Sequence, residues 1–365
     1  MNKLNLPHVA FWFLLIFNLW HNSIRGVWNF SVRDSLNMNS NVMALAQSID
    51  PLIRIHKPYD GAFYYAMAVD PLLLTDRGLR YIDEPAYRCK RVLYPLAAYV
   101  LALGDARRLP YTMLLVNVAA WFFLGWVAWK TASLLGVSRV LLVTAAMTTT
   151  GITFSVFRSM GEPLAFALAF WGCYLWESER PWAAVAAFAL AGLAREAMLF
   201  IPLNILFYEI VFRRNKSPLV SLRLLLGFLP LAGWVLYMKS RLAPVPYNEL
   251  QWIQVPFVGF YKVAMNAFEV CKTSTDLQRT LSLSVITVVL TLLAVYFFFR
   301  NRTLWVWLAL SQALFCYLVR GYAIWDFHSG SCRAIIPLMI FSSVYLLVQA
   351  KNPKLTTSWR GRIVA

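Results

Sequence analysis

The chain has 365 residues, of which 60% are hydrophobic and only 14% charged; a soluble domain of this size carries nearly twice that charge, so a soluble globular protein is excluded. The formal net charge is +17, but the basic residues sit in short segments between apolar runs, where they orient a membrane protein. They do not form a compact basic module, which argues against nucleic acid as a partner.

Apolar runs of roughly 16–25 residues predict an all-α polytopic membrane protein of about ten transmembrane helices. The first run, 9–23, follows one lysine and is taken as a span because no small-residue cleavage site follows it. A long polar segment, 24–109, comes next, with short amphipathic patches near 41–49 and 62–74 that suit helices lying on the bilayer. Within it, 92–103 is strongly apolar but about a dozen residues long, roughly 18 Å of helix against a core of about 30 Å, and is expected to be half-inserted.

Later spans are expected over 110–131, 138–157, 163–178, 182–194, 197–212, 219–238, 280–299, 303–319 and 334–350. The stretch 182–212 is read as two short helices parted by Arg195-Glu196 near the outer face. This count places Lys130, Arg139, Arg180, the Arg213–Lys216 run, Arg300, Arg302 and the tail Lys351, Lys354, Arg360 and Arg362 on one side with the N-terminus. By the positive-inside rule that side is cytoplasmic. The chain is thus one membrane domain over 1–350, with outer loops at 24–109 and 240–279 and a basic cytoplasmic tail at 351–365. Multi-pass insertion in a bacterial inner membrane, with the site on the periplasmic face, is the expected location. The second outer loop carries Tyr247, Trp252, Phe257, Phe260 and Tyr261, a composition suited to headgroups or a sugar-binding wall.

The five cysteines (Cys89, Cys173, Cys271, Cys316, Cys332) and four scattered histidines show no metal-ligand spacing, so no metal site is expected. Cys173 and Cys316 read as packing residues, and a disulfide among the other three stays open.

Ionisable groups near membrane depth are costly and are candidates for function. The map gathers Asp60, Asp70, Arg88, Lys90, Arg91, Arg158, Glu162, Arg195, Glu196 and Arg333 on the outer side. Asp60 lies in Lys57-Pro58-Tyr59-Asp60-Gly61-Ala62-Phe63-Tyr64-Tyr65, an acid among aromatics; the competing reading is a plain Asp-Gly turn. Asp70-Pro71 reads as a turn. Glu162 precedes Pro163 and reads either as a helix N-cap or as a group gripping substrate. Arg195 and Glu196 are adjacent and so point different ways on a helix, which favours separate partners over a mutual pair. Arg333 is either an interfacial snorkelling arginine or a phosphate holder.

One acid beside several arginines suits transfer of a sugar from a polyprenyl phosphate. The donor brings its own leaving group, so the protein must supply a base for the acceptor hydroxyl and guanidiniums for the departing phosphate. No glycine-rich nucleotide loop is present, in keeping with a donor that is not a nucleotide sugar.

The order Tyr59-Asp60-Gly61-x-x-Tyr64, Arg91-Val92-Leu93-Tyr94-Pro95-Leu96, Ser159-Met160-Gly161-Glu162-Pro163-Leu164, Leu193-Ala194-Arg195-Glu196-Ala197 and Arg333-Ala334-Ile335-Ile336-Pro337 resembles the polytopic GT-C glycosyltransferases. The mannosyltransferases of GPI-anchor assembly and their bacterial relatives are the nearest in pattern, over about residues 55–340. That resemblance implies a GT-C-like fold, an acidic catalytic residue in a large first outer loop, and an inverting transfer of a sugar, mannose among the candidates. The donor would be a polyprenyl-phosphate sugar and the acceptor a lipid-linked or cell-envelope glycan, with membrane lipids as surroundings. The base maps by position onto Asp60, with Asp34 as rival because the usual acid lies closer to the first span. Tyr59, Tyr64, Arg88, Arg91, Tyr94, Arg158, Glu162, Arg195 and Arg333 are the substrate-binding candidates. No resident cofactor is expected, and help from a divalent cation stays open. A Ser-Glu pair of the nearest relatives is Gly161-Glu162 here, and the large C-terminal soluble domain of some members has no counterpart. A transporter or flippase of a lipid-linked saccharide is the main alternative, and an envelope polysaccharide ligase or polymerase the next.

Overall fold

In the computed structural model, every regular element among the described residues is helical. The structure describes residues 6–24, 40–50, 60–213, 222–242, 275–318 and 328–351, together with Val255, Phe257, Val258 and Tyr261. The helices are α1 (Leu6–Ile24), α2 (Ser40–Ile49), α3 (Gly61–Val69), α4 (Pro85–Arg88), α5 (Leu93–Leu101), α6 (Leu109–Leu135), α7 (Arg139–Met147) and α8 (Thr150–Val156). They continue with α9 (Glu162–Glu177), α10 (Pro181–Ala194), α11 (Phe200–Tyr208), α12 (Leu229–Arg241), α13 (Thr275–Arg300), α14 (Leu304–Leu318), α15 (His328–Ala334) and α16 (Ile336–Lys351).

Local chemistry sets several of these boundaries. Pro110, Pro163 and Pro181 stand at the first turns of α6, α9 and α10, where a missing N–H costs nothing. Gly136 ends α6 in the left-handed region at φ 64°. Ser138 caps α7 by accepting from Leu141 N–H.

Among the described residues two stretches, Ala106–Leu135 and Leu281–Arg300, are long and apolar enough to cross a membrane. A third crossing results if α7 and α8, bent by 55° at their junction, are taken as one broken span. The expected count of ten is therefore not supported. Several apolar runs fold as shorter helices, among them α10, α14 and α16, and about 20 residues are needed to cross a core of about 30 Å. Apolar length alone does not distinguish a helix facing lipid from one sealed inside a bundle, and α16 has an almost entirely buried surface.

α9 packs chiefly on α10 and α6, and α16 packs on α14 and α1. The α9–α10 contact is close because Gly172 leaves room for the Phe188 ring, which a Cβ would strike. The α7–α8 break is bridged by α1: Asn22 Nδ2 donates to Thr148 O at 2.7 Å, and Asn18 Oδ1 accepts from Thr150 N at 3.1 Å. Thr153 Oγ1 donates to Asn22 Oδ1 at 2.9 Å. The interruption thus keeps polar backbone satisfied inside an apolar interior, as such an interior demands.

The long first loop carries short helices, as its patches predict. α3 and α5 pack on each other and on α6, making a second apolar cluster around Tyr65, Tyr94 and Met113. α5 is nine residues long, too short to cross a core of about 30 Å. Residues 197–212, expected to be one helix, comprise a 3-10 turn at Glu196–Leu199, α11 and a π-helical end at Glu209–Arg213. The expected break at Arg195-Glu196 is present: Arg195 is extended, with φ −161° and ψ 118°. Cys89, Cys173, Cys316 and Cys332 are buried; Cys271 lies outside the described residues.

Candidate functional site

The site lies at one end of the helices, where Asp60 precedes α3, Arg88 and Arg91 precede α5, and Glu162 opens α9. Arg195 follows α10, and Arg333 lies near the end of α15. Lys351 Nζ, closing α16, donates to Gly136 O between α6 and α7 at 2.5 Å.

Asp60 forms a turn by backbone, its carbonyl accepting from Phe63 N at 3.1 Å, but its side chain makes no helix cap. The carboxylate instead meets two guanidiniums: Arg333 Nη2 donates to Oδ2 at 3.1 Å and Arg88 Nη1 to Oδ1 at 3.4 Å. Gly61 makes this placement feasible, because a Cβ there would overlap the carbonyl oxygen of Arg158. The turn before α3 therefore lies directly against the α8–α9 connection.

Arg333 is shared. Its Nη1 donates to Glu162 Oε1 at 3.1 Å, and Arg195 Nη1 donates to the same oxygen. Arg333 is thus bound to two acids. Glu162 is the first residue of α9 and Gly161 occupies the cap position, so the N-cap expectation does not hold. Arg195 and Glu196 take different partners, as their adjacency predicts. Glu196 holds Arg91 through two bonds, from Nε at 2.9 Å and Nη2 at 2.7 Å, while Arg91 Nη2 also donates to Tyr87 Oη at 2.6 Å.

Exposure separates the two central acids: the side chain of Asp60 is 32% accessible and that of Glu162 only 3%. Asp60 can meet a substrate directly; Glu162 is placed to hold arginines. Burial favours the neutral form of Asp60, but the charges of Arg333, Arg88 and Arg91, with the Arg333 hydrogen bond, outweigh it. They hold the carboxyl below its ordinary 3.8. Burial likewise opposes ionisation of Glu196, and Arg91 overrides it, bringing Glu196 to about 2.

Of the arginines expected to bind phosphate, Arg88 and Arg91 are occupied by bidentate pairing. Arg88 donates to both oxygens of Asp83 and lies 3.8 Å over the Phe63 ring. Arg333 and Arg195 hold their acids through single bonds and are the more readily redirected. Arg158 stands in the connection between α8 and α9, its guanidinium 5.4 Å from the Phe154 ring. Tyr64 and Tyr94 meet edge to face at 5.4 Å and wall the site; Tyr94 Oη donates to Met113 O and accepts from Asn117. Asp70 is a turn residue, accepting from Leu74 N, Thr75 N and Thr75 Oγ1. Tyr59 and the rival Asp34 lie outside the described residues.

The sequence reading missed Asp83 and Tyr87 as organisers of the arginines. The available signal was Asp83-Glu84-Pro85, a helix-opening sequence five residues before Arg88. Among the described residues no group of three or more His, Cys, Asp and Glu side chains is placed to hold a metal ion. The carboxylates Asp60, Asp83, Glu162 and Glu196 each face a guanidinium, so the donors are arranged for an anion. Comparison with protein-family models, with curated proteins and with solved structures finds no match to this chain.

Proposed function

We propose that this chain is a membrane glycosyltransferase that moves a sugar from a polyprenyl-phosphate donor to a lipid-linked or cell-envelope acceptor. The observation that carries this is Arg333, whose two terminal nitrogens bind Asp60 and Glu162. One cation therefore links the only well-exposed acid of the pair to a sealed carboxylate that also holds Arg195.

These ion pairs make Asp60 a weak base. A donor phosphate competes for Arg333 and Arg195, since a guanidinium fork pairs with phosphate as well as with carboxylate. As Arg333 turns to the phosphate, Asp60 loses its strongest partner and its basicity rises toward that of an ordinary carboxylate. Asp60 then takes the proton of the acceptor hydroxyl, and the acceptor oxygen bonds to the anomeric carbon from the face opposite the phosphate. The bond between that carbon and the phosphate oxygen breaks, and its electron pair remains on the phosphate held by the arginines. Glu162 keeps Arg333 and Arg195 in place throughout. The chain lies across the membrane with its basic ends in the cytoplasm and this site in the outer, periplasmic leaflet, where the polyprenyl tail enters from lipid.

The bent α7–α8 pair favours a second reading, since transporters place discontinuous helices at their binding sites. Against it, the backbone groups exposed at this break are taken up by Asn18 and Asn22.

The test is purified protein with a radiolabelled polyprenyl-phosphate sugar and an envelope glycan acceptor. Release of polyprenyl phosphate with label in the acceptor is expected, and Asp60→Asn should lower turnover by about 10²–10⁴-fold. Movement of intact donor across a vesicle membrane without cleavage would overturn the enzyme reading. Full turnover by Asp60→Asn together with an inactive Asp34→Asn would move the base.

A further inference from the structure

Three polar atoms beside the ion pairs are sealed from solvent and meet no partner at hydrogen-bonding geometry: Tyr64 Oη, Ser159 Oγ, which lies beside the Tyr94 hydroxyl, and Glu162 Oε2. Buried polar atoms are ordinarily paired, so three orphans in one neighbourhood call for an occupant. Their positions are linked. Tyr64 Oη stands 3.3 Å from the point where a Cβ would sit on Gly161, next to Glu162. The Cβ of Ser159 stands 3.6 Å from the corresponding point on Gly61, next to Asp60. Glu162 commits Oε1 to Arg195 and Arg333 and leaves Oε2 bare.

Charge narrows what can bind. An anion is repelled by Glu162, and a cation by Arg195 and Arg333 around it. Two hydroxyls that donate or accept, facing a carboxylate oxygen that only accepts, match a neutral ligand bearing neighbouring hydroxyls.

Resting on the glycosyltransferase reading, the geometry points to this niche as the subsite for hydroxyls of the transferred sugar, with Tyr64, Ser159 and Glu162 as its specificity residues. The phosphate goes to Arg333 and Arg195, the sugar hydroxyls to the orphaned atoms, and the anomeric carbon lies between them on the Asp60 side. The three atoms are sealed from solvent, so the sugar enters as the Asp60–Gly61 turn shifts.

The experiment compares dissociation constants for polyprenyl phosphate, its hexose ester and a set of monodeoxy hexose esters, read by tryptophan fluorescence on the full chain in detergent. Tyr64→Phe keeps the ring packing and deletes a hydroxyl that bonds nothing, so its melting temperature should hold or rise. Its affinity for the hexose ester should fall about tenfold, with affinity for polyprenyl phosphate unchanged. The deoxy ester lacking the matching hydroxyl should bind wild type and Tyr64→Phe equally, and Ser159→Ala should single out a different hydroxyl. An unchanged hexose-ester affinity in both variants overturns the proposal, as does an equal loss for polyprenyl phosphate or for every deoxy ester. A lowered melting temperature with no loss of sugar affinity also overturns it, by showing that the hydroxyl is held internally or by water. If wild type binds polyprenyl phosphate in an Arg333-dependent way but the sugar adds nothing, the niche alone fails. If neither lipid binds, the glycosyltransferase reading fails and the niche with it.

Discussion

Asp60, Glu162 and Glu196 are ionised groups held in place by guanidiniums, and their acidity carries a stability consequence. Glu196 has its pKa brought from 4.5 to about 2 by Arg91 against the pull of burial. A depressed acid contributes stability that is present above its unfolded value and is lost as pH falls through its folded value. The window is therefore pH 4.5 down to about 2. Glu196→Gln should destabilise the chain at neutral pH by about 3 kcal/mol, because it leaves buried Arg91 without its counter-charge. Thermal melts of wild type and variant in detergent should converge as pH approaches 2. A constant gap across that range would show that the pair is not what holds Arg91. At the same scale, Arg333→Lys keeps the charge but loses the fork that reaches two acids at once. Turnover should fall about 10²-fold, measured as label transfer at saturating donor.

That these acids and arginines meet was expected from the sequence. Which acid takes which arginine was not. Arg91 reaches Glu196 across 105 positions, and Arg333 reaches Asp60 across 273. Such pairings depend on how each helix is rotated about its axis, and hydropathy carries no information about rotation in helices apolar all round. The adjacency of Arg195 and Glu196 was the exception, since geometry forbids them a common direction.

Among the elements, the α7–α8 junction is the clearest departure from a simple series of spans. Residues 138–157 read as one apolar run, yet the chain bends by 55° between α7 and α8. The cue lay in Thr148-Thr149-Thr150, whose hydroxyls compete for backbone groups, and in Asn18 and Asn22 on the first helix. Asn22→Leu should remove the donor to Thr148 O and the acceptor from Thr153 Oγ1, costing about 1–2 kcal/mol. For a chain of this size that is a drop of roughly 1–3 °C in melting temperature, and an unchanged melt would show that the junction is satisfied otherwise. The separation of α10 from α11 was better anticipated, because Arg195-Glu196 divides an apolar run too long to be one straight span.

At the scale of the whole molecule, α9 sets the distance between the two polar ends. Glu162 opens it at the site, and Glu177 closes it beside Arg213, whose Nη1 lies 3.8 Å from a Glu177 oxygen. Sixteen helical residues span roughly 24 Å. Tyr111, Leu115, Phe122, Trp126 and Trp129 of α6 are exposed at helical spacing, which forms an apolar face for lipid. Quenching by lipids spin-labelled along the acyl chain should be strongest for Trp126 and Trp129, tested in variants retaining one of these tryptophans. Equal access to an aqueous quencher would argue that this face meets water. The chain should also remain in the membrane fraction after alkaline carbonate washing.

Gly61 gives the smallest lever on all of this. Adding one methyl group there changes no charge, yet the carbonyl of residue 158 must give way and take the neighbouring turn with it. Alanine at this position would be an uncharged means of disconnecting the acid from its arginines, and would separate the effect of where Asp60 stands from the effect of what it carries.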